Sequence, residues 1–279
     1  MVAKSFIKWL GGKSEVTKHI FSATPNANFK RFLEPFAGSM VVSLNCNIDN
    51  IIVNDFNKDL VNVYKCVKTS YVKLLKECKT LFTKENNTAE AYNRFRSEFN
   101  ALLEHNVRKA ALFIYLNRHG FNGLCRYNTK GEFNVSFGKY NTVNVPVDTI
   151  ASANYIMKSK KVQILNLDFE KILKMAKDGD LVYCDPPYDT YENADGSRNF
   201  ANYVPKGFDI NEQIKLAQLA KQASDRGAVV IISNHNTFFI NRLYRSLGAK
   251  VKHIDVKRSV SCKSSTRKKV SEVLAVFGN

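Results

Sequence analysis

Short apolar runs recur along this chain of 279 residues, and helical patterns lie between several of them. Such short, continuously apolar runs are typical of buried strands. They comprise residues 32–33, 51–53, 162–165, 181–184 and 229–232. Residues 210–224 instead place Ile214, Ala217 and Ala220 on one face, which predicts a helix. Strands that alternate with helices predict an α/β sheet, and residues 251–256 and 272–277 predict a hairpin at its C-terminal end.

One stretch departs from this alternation. Residues 59–116 have a helical pattern, and a polar, aromatic and glycine-containing segment, 117–140, follows them without a helical period. An apolar stripe along the helical part consists of Phe95, Phe99, Leu102, Leu103, Val107, Ala110 and Ile114. We therefore predict a mainly helical insertion, residues 59–148, in a catalytic domain formed by residues 1–58 and 149–279. Insertions of this kind usually select the substrate, because the host sheet already fixes the chemistry.

Charge indicates the class of partner. The chain has 42 basic and 25 acidic residues, which leaves a net charge of +17. Such an excess favours a polyanion, either nucleic acid or an anionic membrane surface, although a lysine-rich solvated surface would give the same sum. No apolar run approaches the roughly 20 residues of a membrane span, and residues 1–13 lack the apolar core of a signal peptide. The six cysteines have no paired spacing, so we expect reduced, buried thiols in a cytoplasmic protein and no metal site.

The sequence Asp185-Pro186-Pro187-Tyr188 directly follows the predicted strand 181–184. Ligands of α/β sheets bind at the carboxyl ends of strands, and the two prolines fix the backbone and remove two N–H donors. The loop thus offers the Asp185 carboxylate, the Pro186 carbonyl and the Tyr188 ring. These groups suit a flat heterocycle with an exocyclic amino group, although an ordinary strand-ending turn is the alternative.

Two other strand ends carry weaker signals. Phe36 and Gly38 follow the strand 32–33, and a glycine there permits close approach of the backbone to a ligand. Asp55 closes the next strand, where Rossmann-like sites place an acid about 20 residues after the glycines to bind the ribose hydroxyls. A strand-end aspartate is, however, also a common helix cap.

These motifs, in this order, resemble the DNA adenine methylase (Dam) family of bacterial and phage N6-adenine methyltransferases over nearly the whole chain. The motifs are Lys8-Trp9-x-Gly11-Gly12-Lys13, Glu34-Pro35-Phe36-x-Gly38, Asp55, Asp185-Pro186-Pro187-Tyr188, Ile232-Ser233-Asn234-His235 and Thr266-Arg267-Lys268-Lys269-Val270. The most specific signal is residues 116–128, LNRHGFNGLCRYN, with residues 131–138, GEFNVSFG. These two runs resemble the family's target-recognition hairpin.

The resemblance implies a class I S-adenosylmethionine-dependent methyltransferase with a Rossmann-like sheet. It also implies an inserted, mainly helical DNA-recognition domain that carries a β-hairpin. The reaction would transfer a methyl group from S-adenosylmethionine to N6 of adenine within GATC in double-stranded DNA. The base would be flipped out, because its amino group is inaccessible in the stack. We further expect a monomer, located in the cytoplasm of a bacterial cell or a phage-infected host.

The same resemblance implies the site residues. The methyl donor would be held by Trp9, Lys13, Phe36, Gly38, Asp55, Asp168, Phe169 and Asp185. The flipped adenine would be held by Asp185, Pro186, Pro187 and Tyr188. The DNA-facing residues would be Lys8, Arg118, Phe121, Asn122, Leu124, Arg126, Asn128, Ser136, Lys139 and Tyr140. Within this last set, Phe121 would wedge beside the vacated base, Leu124 and Arg126 would read base edges, and Lys8 would reach the outer guanine.

Three positions depart from the family pattern. Met40 replaces the second glycine of the usual FxGxG motif, which bears on donor affinity. Phe121 stands where many relatives have tyrosine, so the stacking face is kept and a hydroxyl is lost. Ser136 stands where relatives often have proline, which bears on contact with the thymine methyl group.

Other functions fit parts of the sequence. The same loop serves cytosine-N4 and RNA adenine methylation, whereas the segment 117–140 favours duplex DNA. A protein glutamine methyltransferase usually has asparagine before Pro-Pro-Tyr, so Asp185 disfavours it. A DNA-binding protein with an inactive methyltransferase core is favoured only by Met40.

Overall fold

The computed structural model describes residues 2–13, 16–24, 28–188, 208–257 and 269–278. These residues form a seven-stranded sheet with the strand order β3-β2-β1-β4-β5-β7-β6. Its strands are β1 Arg31–Glu34, β2 Asn50–Asn54, β3 Lys161–Leu165, β4 Asp180–Cys184, β5 Val229–His235, β6 Lys250–Lys257 and β7 Lys269–Phe277. Each predicted apolar run lies within one of these strands, and the predicted C-terminal hairpin is the antiparallel pair β6–β7.

Helices cover both faces of the sheet. They are α1 Thr17–Ser22, α2 Val41–Leu44, α3 Lys58–Thr69, α4 Tyr71–Leu81, α5 Ala89–Ala101, α6 Val107–His119, α7 Val147–Ser159, α8 Phe169–Met175, α9 Ile210–Asp225 and α10 Phe238–Ser246. The predicted helix 210–224 is α9, and the Asp209 side chain caps it by accepting the backbone N–H groups of Asn211 at 2.9 Å and Glu212 at 3.0 Å.

The sheet is parallel from β3 to β5, and β7 is antiparallel to both of its neighbours. This mixed, doubly wound arrangement is the Rossmann-like α/β sheet that the sequence predicts. The carboxyl ends of β1, β2, β4 and β5 consequently meet at one edge of the sheet. The motifs that follow these strands in sequence therefore lie together at that edge.

Successive residues of the buried strands point to opposite faces and enter two hydrophobic clusters. Phe32, Tyr183 and Ile231 belong to a cluster that also contains buried residues of α3 to α6. Leu33 and Val182, one position away, belong to the cluster beneath α8 to α10. The predicted insertion thus shares one continuous core with the sheet, and its division from the catalytic domain at residues 59 and 148 stays a prediction.

The predicted single apolar stripe between residues 95 and 114 is wrong at its centre. Helix α5 ends at Ala101, and Leu103 is 89% exposed. Helix α6 begins only at Val107, because the Asn106 side chain accepts the backbone N–H of Lys109 at 3.0 Å and starts a new helix. The apolar residues on either side of this break therefore lie on two helices that pack against each other.

The segment 117–140 is less regular than a hairpin. Helix α6 continues to His119, and a short 3₁₀ helix spans Phe121–Gly123. The chain then folds back through two isolated antiparallel bridges, Gly120 with Phe137 and Tyr127 with Phe133. We call residues 117–140 the recognition segment below.

Other sequence expectations concern burial and membranes. The described cysteines, Cys46, Cys66, Cys78, Cys125 and Cys184, are free and buried, as predicted. In the part of the chain that the structure describes, no helix is long and apolar enough to cross a membrane. Residues 266–268 of the last family motif, and Cys262, lie outside the described residues.

Candidate active site and DNA interface

Asp185 is placed by the parallel pairing of β4 with β5. Cys184 pairs with Ile232, so the next residues along the two strands, Asp185 and Ser233, are neighbours. The Ser233 hydroxyl donates to Oδ1 of Asp185 at 2.9 Å. The Asp185 side chain nevertheless keeps 21% of its surface exposed. A carboxylate held on one side and open on the other is suited to bind a ligand.

Lys13 places a positive charge beside Asp185. Its side chain is almost fully buried, and Nζ lies 3.1 Å from Oδ1 of Asp185 and 3.8 Å from Oε2 of Glu272. The same ammonium lies 4.8 Å from the centre of the Tyr188 ring, whose other neighbour, His235, meets it edge-on at 4.4 Å. These contacts are consistent with the sequence prediction that Lys13 and Asp185 both belong to the donor site.

The turn after β1 brings Gly38 against Trp9 and Asp55. The backbone N–H of Gly38 donates to Oδ2 of Asp55 at 2.9 Å, and the N–H of Asn57 donates to Oδ1 at 2.9 Å. A Cβ atom on Gly38 would lie 2.6 Å from Nε1 of Trp9, and φ is +46°, so this position requires glycine. Burial raises the pKa of the Asp55 carboxyl, and these backbone hydrogen bonds oppose the rise.

Met40 adopts a left-handed conformation with φ of 60°. Glycine adopts this conformation without strain, whereas a residue with a side chain does not. The methionine side chain is 1% exposed and belongs to the core. The departure from the family pattern thus combines backbone strain with additional apolar packing, and it leaves the Gly38–Asp55 contact intact.

An aromatic cluster adjoins Asp55 on the same edge. The ring centres of Phe36 and Phe169 are 5.3 Å apart, and Phe208 meets Phe36 edge-on at 5.6 Å. Asp168 caps α8 by accepting the N–H of Glu170 at 2.8 Å and is itself exposed. These residues fit S-adenosylmethionine, because aromatic faces suit its adenine and a carboxylate oxygen bound to one N–H keeps a lone pair for a ribose hydroxyl.

A buried acid, Glu34, lies behind this edge at the last residue of β1. It is 2% exposed, and its Oε2 accepts the hydroxyl and, at 3.1 Å, the backbone N–H of Ser43. Burial raises the pKa of Glu34 to about 8, against the opposing effect of the Ser43 hydrogen bonds. The carboxyl therefore holds its proton at neutral pH.

Lys8 links the N-terminal segment to the recognition segment. Its backbone N–H donates to Oδ1 of Asn117 at 2.8 Å, and its carbonyl accepts Nδ2 of Asn117 at 2.8 Å. Its ammonium donates to the carbonyl of Arg118 at 3.3 Å and lies 4.1 Å from the ring centre of Tyr140. The structure thus brings together three of the predicted DNA-facing residues.

Phe121 begins the 3₁₀ turn and is 47% exposed, which is unusual for its size. Its backbone N–H donates to the carbonyl of Ser136 at 2.8 Å. The next residue, Asn122, has φ of 52°, and its N–H donates to the hydroxyl of Tyr140 at 3.0 Å. An exposed ring on an anchored backbone is the geometry that a wedging side chain requires.

The remaining predicted residues of the recognition segment differ in their hydrogen bonds and in how far they are buried. Nε of Arg126 donates to Oδ1 of Asn134 at 2.9 Å, which orients an exposed guanidinium. The Asn128 side chain closes the 128–132 turn by accepting the N–H groups of Lys130 and Glu132, both at 3.0 Å. Leu124 packs partly on the core, whereas Ser136 and Lys139 are exposed.

The sequence alone does not single out Tyr183 or Glu272, and Ser233 stands in a family motif without an assigned role. Ser233 contacts Asp185, Tyr183 contacts Ser233, and Glu272 contacts Lys13, so the strand order β4-β5-β7 is what reveals them. Asp59 is another such residue: its Oδ1 lies 3.0 Å from Nε2 of His105, and its Oδ2 accepts the Tyr127 hydroxyl at 2.8 Å. Through Asp59, the start of α3 just after Asp55 is joined to the recognition segment.

Known proteins are similar to this chain in sequence. The chain is 39% identical over 277 residues to the DNA adenine methylase of Haemophilus influenzae, covering 99% of this chain and 94% of that protein. The DNA adenine methylase of Escherichia coli K12 is 36% identical over 98% of this chain and 95% of its own length. Among solved structures, precorrin-6y C5,15-methyltransferase from Geobacter metallireducens has 11% identity and a TM-score of 0.42, covering 100% of this chain and 94% of that chain.

A family model described as D12 class N6 adenine-specific DNA methyltransferase matches residues 9–260. That range contains the donor-site and recognition residues discussed above, except Lys8. The family uses S-adenosylmethionine as its methyl donor. The chain therefore belongs to the D12 class of N6 adenine-specific DNA methyltransferases, and its activity is methyl transfer to N6 of adenine in DNA.

Proposed function

We propose that the protein methylates the adenine of GATC in double-stranded DNA after flipping that base out of the helix. The observation that carries the proposal is the placement of Asp185. It lies at the carboxyl end of β4, is fixed by Lys13 and Ser233, and is open to ligand on its remaining surface.

Asp185 and the Pro186 carbonyl are the proposed acceptors of the two hydrogens on adenine N6. The lone pair of this nitrogen is delocalised into the purine, so the amine is a poor nucleophile. Two fixed acceptors draw the amino group towards sp3 geometry and stabilise the positive charge that develops on it. Pro187 supports this arrangement, because its carbonyl accepts Nε2 of Gln213 at 3.1 Å and the loop is thereby tied to α9.

Tyr188 is the proposed stacking platform for the flipped base. Its ring contacts both the His235 ring and the Lys13 ammonium, and these contacts would hold its plane before the base arrives. A fixed plane aligns N6 with the methyl group and removes rotational freedom from the reaction. Orientation and preorganised acceptors are thus the two sources of acceleration that these residues supply.

The donor would be held by the edge of the sheet formed by β1 and β2. Asp55 would accept the ribose hydroxyls, Phe36 and Phe169 would flank the adenine ring, and Gly38 and Trp9 would form the floor. Lys13 would face the carboxylate end, and Asp168, at the end of β3, completes the predicted set. S-adenosylmethionine, when bound, would supply a methyl group carried on a positively charged sulfur, which suits attack by a neutral amine.

The recognition segment is the proposed reader of the DNA, and residues 59–148 its supporting domain. Phe121 would fill the place of the flipped base, with Asn122 beside it. Base edges would be read by Lys8, Leu124 and Arg126. Backbone and groove contacts would come from Arg118, Asn128, Ser136, Lys139 and Tyr140. A monomer acting in the cytoplasm remains the expectation for the whole protein.

The decisive experiment measures labelled methyl transfer from S-adenosylmethionine to a GATC duplex and to duplexes that differ from it at one base. Digestion with nucleases that report adenine methylation within GATC then locates the product. We expect labelling of GATC only, and Arg126→Ala should relax the preference at one guanine by about 1–3 kcal/mol. Equal labelling of all duplexes would refute GATC, and binding without labelling would indicate an inactive core.

A further inference from the structure

We propose that Ser233 is a positioning residue for methyl transfer, with Tyr183 acting behind it. The pair holds Oδ1 of Asp185 so that Oδ2 faces the amino group of the substrate. The inference rests on the role of Asp185 proposed above and extends it to two residues that do not touch DNA or the methyl donor.

The direction of the hydrogen bonds follows from counting donors. The Ser233 hydroxyl lies 2.9 Å from Oδ1 of Asp185 and 2.9 Å from the Tyr183 hydroxyl. A serine hydroxyl has one hydrogen, and an ionised carboxylate only accepts. Ser233 must therefore donate to Asp185 and accept from Tyr183. Burial raises the pKa of Tyr183 well above its usual value, so the phenol keeps the hydrogen that this direction needs.

The chain of hydroxyls is buried. Tyr183 and Ser233 are both fully buried on neighbouring strands, β4 and β5. The Lys13 ammonium lies 3.1 Å from the same oxygen, Oδ1. In the described part of the chain, the serine hydroxyl and the ammonium thus both engage one oxygen of Asp185, and Oδ2 is the proposed acceptor for substrate. Hydrogen bonds within a buried network strengthen one another, so the carboxylate plane is fixed.

The test compares three variants in single-turnover methylation of a GATC duplex. Ser233→Ala should slow the chemical step roughly 10- to 100-fold, because the carboxylate loses one of its fixed partners. The dissociation constants for S-adenosylmethionine and DNA should stay within about twofold, since Ser233 touches neither ligand. Tyr183→Phe should slow the step less, because the serine hydroxyl remains.

The double variant Ser233→Ala, Tyr183→Phe gives the sharper readout. If Tyr183 acts only through Ser233, the double variant is no slower than Ser233→Ala alone. Tyr244→Phe is the matched control, because its hydroxyl accepts Nδ2 of Asn234 at 2.9 Å and lies on the opposite face of β5, away from Asp185. It should lower the melting temperature without slowing methyl transfer.

Three results would overturn the proposal. They are a normal rate in Ser233→Ala, equal slowing in Tyr244→Phe, or a double variant whose rate falls by the product of the two single effects. Asp185→Ala separates this inference from the proposed function. A normal rate in that variant refutes the role of Asp185 itself, whereas an inactive Asp185→Ala with a normal Ser233→Ala refutes only the positioning role.

Discussion

Two aspartates stand at the two ends of the same strand and have opposite surroundings. Asp180 opens β4 and is 1% exposed, with Nε of Arg31 at 2.7 Å from one oxygen and Nη2 at 2.5 Å from the other. Asp185 follows the last residue of β4, and Lys13 and Ser233 both bind its Oδ1. The first carboxylate is closed by its own chain, and the second is left with capacity for a ligand.

This difference distinguishes the two edges of the sheet. At the amino edge, Asp180 also accepts the backbone N–H of Lys177 at 2.9 Å, so its charge is neutralised and its hydrogen-bonding capacity is used internally. At the carboxyl edge, Asp185 contacts Lys13 and Ser233 through one oxygen and keeps 21% of its side chain exposed. We therefore expect the carboxylate at the amino end of β4 to serve stability and the one at the carboxyl end to serve chemistry.

The largest expected effect is the loss of catalysis when Asp185, at the carboxyl end of β4, is replaced. Asp185→Ala should reduce methyl transfer by at least about 10³-fold, since it removes an acceptor of developing charge. Duplex binding should survive, because the recognition segment, the proposed reader of the DNA, does not include Asp185. Single-turnover assays with a binding assay on the same duplex measure both effects. Near-normal turnover would contradict the assignment of Asp185.

Replacement of Asp180, at the amino end of β4, should change the stability of the protein. Asp180→Asn should lower the free energy of unfolding by about 2 kcal/mol, less than for a fully buried pair, because Arg31 keeps 22% of its side chain exposed. Chemical denaturation measures this loss, and the methylation rate per folded molecule should not change. If Asp180→Asn slowed methyl transfer and left stability unchanged, Asp180 rather than Asp185 would be the aspartate with the chemical role.

Glu34 adds a pH dependence to the carboxyl edge. Its native carboxyl holds a proton up to about pH 8, whereas the unfolded carboxyl releases it near 4.5. The unfolded state therefore binds fewer protons between these values, and stability should fall as pH rises through this window, by at most about 1.4 kcal/mol per pH unit. Denaturation of wild type and Glu34→Gln at pH 5 and 8 measures this slope. The glutamine variant should lose it, and an equal slope in both proteins would assign it to another group.

The smallest expected effect is on stability, when Met40 in the turn after β1 is replaced. Met40→Gly relieves a left-handed conformation that costs about 1 kcal/mol, but it also deletes a buried side chain, which costs about 2 kcal/mol or more. We expect a net loss of about 1 kcal/mol in the free energy of unfolding, measured by denaturation. Donor affinity should be unchanged, since Gly38 and Asp55 keep their contact. A gain in stability would show that strain outweighs packing at this position.

The sequence predicts much of this structure because the signals are local. Apolar runs identify the buried strands, and the Asp185-to-Tyr188 loop is recognisable because its chemistry lies within four consecutive residues. The contact of Ser233 with Asp185 depends on which strands pair, and that information is spread over the whole chain. The same limitation applies to Asp59, whose partners His105 and Tyr127 are distant in sequence.

Local signals also mislead where one polar residue decides the outcome. The apolar spacing around Leu103 continues through the loop, yet the Asn106 cap starts a new helix and leaves Leu103 exposed. Met40 is read from sequence as a lost glycine, whereas the structure shows its side chain filling the core. In both cases the backbone conformation, rather than the residue's hydrophobicity, determines the role.

The paired hydrogen bonds between Lys8 and Asn117 have a consequence for how this enzyme can acquire new specificity. The amide of Asn117 binds the Lys8 backbone as a neighbouring strand would, and Lys13, five residues on, contacts Asp185. The short run from Lys8 to Lys13 thus connects the recognition segment, the proposed reader of DNA, to Asp185, the proposed catalytic residue. A recognition segment transplanted from another methyltransferase would need an equivalent of Asn117, or the graft would bind its new sequence without presenting the base to Asp185.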